Sequence, residues 1–111
     1  MAKAPLALSG TMRIGGQDHF YLEGQISFAV PGEDDEILLY CSTQHPSEVQ
    51  HMVAHVLALR SNAVTVKVRR LGGGFGGKET QSNLFAVVAA FGAKITGWPV
   101  KLRLDRDEDM I

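Results

Sequence analysis

Five of the six positions from Gly72 to Gly77 are glycine, and Lys78 and Glu79 follow directly. A glycine-rich turn between a strand and a helix lets a ligand approach the backbone and aims unpaired helix N–H groups at negative charge. Gly72, Gly77 and Lys78 fit the phosphate-cradling pattern G-x-x-x-x-G-K. That pattern then needs Ser or Thr to hold magnesium, whereas Glu79 would set a carboxylate against the phosphates, and Thr80 stands one residue late. Gly72, Gly74 and Gly77 also fit the dinucleotide pattern G-x-G-x-x-G, but Asp105 lies 28 residues beyond Gly77 instead of about 20 residues from the motif. A permissive connecting loop is the plainest alternative.

The longer string Gly72-Gly73-Gly74-Phe75-Gly76-Gly77-Lys78-Glu79-Thr80 resembles the signature of the molybdenum-cofactor domain in the xanthine dehydrogenase and aldehyde oxidase family. Two other strings resemble the same family, Gly15-Gly16-Gln17-Asp18-His19-Phe20-Tyr21-Leu22-Glu23 and Leu104-Asp105-Arg106-Asp107-Glu108-Asp109-Met110. Ser42-Thr43-Gln44 lies between them, and the resemblance runs in the family's order over residues 10 to 111. It implies an N-terminal tail over 1–9 and a partial molybdopterin-binding domain over 10–111, a fragment closest to the xanthine dehydrogenase branch.

The resemblance also implies roles. Gln17 would donate a hydrogen bond to an oxo ligand of molybdenum, since an amide donates without adding charge. Gly74, Phe75, Gly76 and Gly77 would contact the cofactor, with the Phe75 backbone beside the metal. The ring of Phe75 either joins that contact or plugs the gap between loop and sheet. Glu79 would bind the ring nitrogens of a purine and stabilise developing charge, which favours hypoxanthine or xanthine over aldehydes. Read alone, Glu79 is an acidic first-turn residue complementing a helix dipole.

The implied reaction is oxidative hydroxylation, with electrons leaving through iron–sulfur clusters to FAD on other domains or subunits. The family's general base and substrate-orienting arginine lie beyond this region, so no catalytic residue is expected here, and the segment alone is expected to be inactive. Its expected partners are the purine substrate, the remaining segments of the molybdenum subunit and the iron–sulfur and FAD subunits. A nucleotide-binding module using the 72–77 loop as a phosphate cradle is the alternative.

Other polar residues carry weaker signals. His51 and His55 have the i, i+4 spacing of zinc ligands, but Met52 replaces the glutamate of H-E-x-x-H. Lys78 is expected to point outward or to pair with a carboxylate. Asp105 to Asp109 lacks the glycine and terminal glutamate of a calcium loop and is expected to be a solvated turn pairing with Arg103 or Arg106. Cys41 is expected to be a small buried hydrophobe.

Several elements must position these residues. Residues 19 to 30 hold strand formers, Pro31 to Asp35 is a dense turn signal, and Ile37 to Thr43 resumes as a strand, giving an antiparallel hairpin. Pro46 and Glu48 mark a helix start, capped by the donors before them, with Val49, Met52, Val53, Val56 and Leu57 on one face. Val64 to Arg69 alternates as a strand with one wet face. A second helix is expected from near Glu79, burying Leu84, Val87, Val88, Phe91 and Ile95, and ending at Gly97 before Trp98-Pro99. A last strand covers Val100 to Leu104. The fold class is α+β, a two-layer sandwich in ββαβαβ order, with Thr11 to Ile14 a candidate short first strand besides, and with two helices on one face of a mixed sheet.

The bulk numbers agree with one compact soluble domain: 111 residues with 45% hydrophobic content can build a core. A net charge of −1 and a pI near 6.4 give no basic footprint, so nucleic acid is not an expected partner. Cys41 has no second thiol to pair with, which suits a cytoplasmic setting. No signal peptide and no run of about 18 apolar residues is found, so no membrane is expected either.

Overall fold

A computed structural model of the chain describes residues 5–110. Its regular elements are β1 (Ile26–Pro31), β2 (Ile37–Cys41), α1 (Pro46–Val56), β3 (Val64–Lys67), α2 (Ser82–Thr96), β4 (Val100–Arg103) and a one-turn helix α3 (Arg106–Asp109). The sheet order is β3-β2-β1-β4. Strand β1 pairs antiparallel with both β2 and β4, whereas β2 and β3 run parallel, so the sheet is mixed. The α+β class, the mixed sheet and the two main helices are as the sequence implies.

Alternation along the strands sorts the two faces. Ala29, Ile37, Leu39 and Val64 point to one side and pack with Val49, Val53, Ala54 and Leu57 of the α1 region and with four alanines of α2. Fully burying a residue such as Leu39 contributes about 1.5–3 kcal/mol, and this layer is the core. On the other side Phe28 and Tyr40 stack, with ring centroids 6.2 Å apart, and Lys67 and Arg69 extend over Tyr40.

Helix α1 starts at Pro46 as the sequence implies, but no side chain caps it. Glu48 instead receives a contact from His45 Nδ1 at 2.8 Å. Met52 and Val56 are 41% and 48% exposed, so the buried face is narrower than their spacing suggests. Val68, expected inward with Val64 and Val66, lies beyond the end of β3 and is exposed.

Helix α2 departs most from expectation. It begins at Ser82, because the chain continues through turns after the glycine run, with the Gly77, Glu79 and Asn83 amides bonded to Gly74, Gly76 and Thr80. Its buried face is Ala86, Ala89, Ala90 and Ala93, all at 0% exposure. Leu84, Val88, Phe91 and Ile95, expected in the core, are 48–66% exposed. The helix lies across the centre of the sheet, where Ala29 sits fully buried, and small side chains let the two backbones approach. Gly97 ends the helix as anticipated, in the left-handed region with φ 69° and its N–H bonded to Ala93.

Residues 5–20 form no helix or strand, so the short strand expected at Thr11 to Ile14 is absent. Residues 19 to 25 are not a strand either. Their main chain bonds elsewhere: Glu23 N–H to Gly72, and the Tyr21 and Leu22 carbonyls to the Arg106 guanidinium at 3.2 and 2.7 Å. The expected solvated turn at Asp105 to Asp109 is α3, held by a reciprocal capping box between Asp105 and Glu108.

Candidate functional site

The glycine run lies against the segment that leads into β1. A Cβ on Gly72 would fall 2.5 Å from Glu23 Cβ, one on Gly74 would fall 2.5 Å from Gln44 Oε1, and one on Gly77 would fall 2.6 Å from Tyr21 Cε1. Packing by the chain's own side chains therefore accounts for three of the glycines. Gly73 and Gly76 have φ of +98° and +97°, which a residue with a side chain rarely adopts.

Two polar side chains hold the loop. Gln44 Oε1 accepts the Gly76 and Lys78 amides at 2.9 and 3.3 Å. Glu23 Oε2 accepts the Gly72 amide at 2.9 Å, the Lys78 ammonium at 2.9 Å and the Ser42 hydroxyl. Lys78 is fully buried, with Nζ 2.8 Å from Ser42 Oγ and 4.7 Å from the centroid of the Tyr21 ring. It pairs with a carboxylate as one of its expected roles required, and does not point outward. Burial pushes the Glu23 carboxyl up, but bonds from Ser42, the Gly72 amide and Lys78, together with the lysine's charge, outweigh it and hold the group below its ordinary value.

A second set of bonds closes the other side. Tyr21 Oη donates to Asp109 Oδ1 at 3.0 Å, and the Gln25 amide donates to Asp109 Oδ2 at 2.7 Å. Gln25 Nε2 donates to Tyr21 Oη and to the Gly77 carbonyl at 3.1 and 3.2 Å. Burial raises the Tyr21 phenol's pKa; the Gln25 bond opposes this, and the bond and charge of Asp109 reinforce it. Asp109 is therefore engaged by Tyr21 and Gln25, where the sequence suggested an arginine. These groups, with His19, Gly76, Thr80 and Phe85, border a cavity of about 550 Å³.

The residues singled out from sequence are distributed unevenly. Gly74 and Gly77 are buried inside the clamp, whereas Gly76 is exposed beside His19. The Phe75 ring is 75% exposed, so it is not a plug between loop and sheet. Gln17 and Glu79 are exposed, do not line the cavity, and have side chains without hydrogen-bond partners among the described residues. His51 and His55 are exposed, and no group of metal-ligating side chains occurs among the described residues. Glu23, Gln44, Lys78 and Asp109 were missed as site residues, although all four lie in or beside the strings that carry the family resemblance.

The arrangement bears directly on ligand chemistry. A phosphate cradle needs free amides at the helix start and a lysine facing the ligand. Here the Gly76 and Lys78 amides are taken by Gln44, and Lys78 is turned inward against Glu23. The Gly73, Gly74 and Phe75 amides have no partner among the described residues; Gly74 is buried, Gly73 is half-buried, and Phe75, with φ 51°, is exposed. The loop thus has main-chain donors to offer an acceptor-bearing group, which suits a pterin cofactor. No described helix is long and apolar enough to cross a membrane.

The sequence pattern of the molybdopterin cofactor-binding domain matches residues 1–111. Xanthine dehydrogenase of Drosophila subobscura is 51% identical over 110 residues, which are 99% of this chain and 8% of that protein. Aldehyde oxidase 2 of Cavia porcellus is 49% identical over 105 residues, covering 94% of this chain and 8% of that protein. Among solved structures, quinoline 2-oxidoreductase from Pseudomonas putida 86 superposes with a TM-score of 0.75 at 27% identity, covering 97% of this chain and 14% of that one. The chain thus spans about 8% of the length of these curated relatives. A match over every residue, joined to about half identity across nearly the whole chain, places this protein in the molybdopterin cofactor-binding domain family of the xanthine dehydrogenase and aldehyde oxidase type.

Proposed function

We propose that this chain supplies cofactor and purine contacts within a molybdenum hydroxylase resembling xanthine dehydrogenase. The observation that carries this reading is the glycine loop: it is clamped at Gly72, Gly76 and Lys78 while the amides of Gly73, Gly74 and Phe75 stay unpaired. Those main-chain donors would hold the molybdopterin cofactor, with Gly76 and Gly77 completing the close approach. Gln17, exposed upstream of His19, would donate its side-chain amide toward the metal centre. The bound group supplies the redox chemistry of oxidative hydroxylation.

Glu79 stands just beyond the clamp with a free carboxylate. In a pocket completed by other segments it would hydrogen-bond the ring nitrogens of hypoxanthine or xanthine and orient the ring. The partners on this reading are those remaining segments and the domains or subunits bearing iron–sulfur clusters and FAD, in a cytoplasmic enzyme. This chain provides binding and orientation and no general base.

The test is a chimera in which this chain replaces the corresponding 110 residues of the Drosophila subobscura enzyme. Glu79→Val should lower kcat/KM for hypoxanthine by about 100-fold, the cost of losing one charge-assisted contact in the transition state, and leave an aromatic aldehyde within about threefold. An equal fall for both substrates would overturn the purine assignment. Saturable binding of ATP to the 111-residue chain, abolished by Gly77→Ala, would overturn the cofactor reading itself.

A further inference from the structure

One residue closes both ends of the loop. The Glu23 amide donates to the Gly72 carbonyl at 3.0 Å, and its carboxylate accepts the Gly72 amide at 2.9 Å, so the loop's entry is bonded in both directions. The same carboxylate oxygen accepts the ammonium of Lys78 at the loop's exit, 2.9 Å away. Lys78 is bound at its other polar atoms as well: its amide by Gln44, and its carbonyl by the Gln44 amide at 2.8 Å and the Thr43 hydroxyl at 3.1 Å.

Burying an ammonium is costly, and an apolar side chain of similar volume commonly gives equal or greater stability. What the pair adds is geometry. The Glu23 carboxylate, accepting from Gly72, Lys78 and Ser42, fixes the separation and the register of the two loop ends, which an apolar contact does not. The unpaired amides of Gly73 to Phe75 lie between those ends, and Gln17 lies six residues before Glu23 on the same segment.

We propose that Glu23 and Lys78 are positioning residues: their ion pair, braced by Ser42, clamps the Gly72–Gly77 loop to the Gln17–Glu23 segment and so sets where the loop's free amides and Gln17 meet the cofactor. This inference rests on the cofactor reading above for its function, but the clamp itself does not.

The test has two arms. In the 111-residue chain, amide hydrogen exchange is followed in Glu23→Gln, which keeps shape, and in Lys78→Met, which removes the charge. The amides of Gly72, Gly76 and position 78 should change chemical shift and exchange at least about tenfold faster in both, as expected for weakening one charge-assisted bond, while Leu39 and Val53 in the core keep their amide shifts. Unchanged loop exchange would overturn the clamp, and so would core amide shifts displaced as far as those of the loop. If Lys78→Met does not fold, Glu23→Gln decides alone.

In the chimera, both variants are compared with the parent at equal molybdenum content. The g-values of the Mo(V) electron paramagnetic resonance signal should shift, a change that simple loss of stability does not produce. Identical spectra beside raised loop exchange would overturn the positioning role. A parent chimera that holds no molybdenum would instead sink the cofactor reading, and the exchange result would still judge the clamp.

Discussion

Lys78 Nζ and Glu23 Oε2 lie 2.9 Å apart across 55 residues of sequence, with the lysine fully buried and the glutamate 37% exposed. This asymmetry determines how each behaves when the pair is broken. Lys78→Ala should cost the chain about 3 kcal/mol, the low end for breaking a buried pair, because the remaining carboxylate is partly hydrated. Glu23→Ala should cost more, since it strands a charge with no access to water. Urea unfolding followed by circular dichroism orders the two, and equal midpoints would contradict the assignment.

Acid should reveal the same carboxylate. The folded pKa of Glu23 lies below its ordinary value of 4.5, so its ionised form stabilises the fold. That contribution is fully present above the unfolded value and is lost as pH falls through the folded one. The stability gap between the parent and Glu23→Gln should therefore be flat above about pH 5 and shrink below it. Chemical unfolding from pH 3 to 7 measures the gap; a gap that widens in acid would reverse the sign.

Gly77→Ala should destabilise by about 1–3 kcal/mol, because the new methyl meets the Tyr21 ring at 2.6 Å and His19 at 3.0 Å, and a ring cannot fold away. Gly97→Ala has open space around it and only the left-handed backbone to oppose it, so about 1 kcal/mol is expected. Thermal melts of the two variants should rank Gly77 as the more sensitive.

Cys41 is 5% exposed, and burial raises its thiol pKa against the opposing effects of Ser27 and Lys78. Its reaction with a disulfide reagent at pH 8 should be slower by at least about tenfold in the folded chain than in guanidinium. Equal rates would place the thiol at the surface.

Helix α2 gives the most instructive comparison between sequence and fold. Leu84, Val88, Phe91 and Ile95 form one helical stripe, and Ala86, Ala89, Ala90 and Ala93 form another, so periodicity alone fits both. Size favoured the first stripe, whereas closeness to the sheet selected the second. Ala90→Leu should therefore cost about 1–3 kcal/mol by overpacking, and Phe91→Ala, at 51% exposure, under about 1 kcal/mol.

The strands and turns were legible because alternation and the Pro31 to Asp35 cluster are local signals. The 19–25 segment was not, since its aromatic residues look like a strand while its bonds go to Gly72, Arg106 and Asp109. The glycine run announced the loop. Its clamp depends on pairings such as Gln44 with Gly76 that no local pattern encodes.

The origin of those pairings also sets an order of assembly. Most bonds that shape residues 21 to 25 come from residues 72–78 or 104–109. Strand β1 likewise receives β4 only after some 70 further residues have been added. On a ribosome the β1–β2 hairpin and α1 can form early. The corner built on residues 21 to 25 must stay open until the later partners emerge, so it matures last and leaves its polar groups accessible to chaperones for the longest interval.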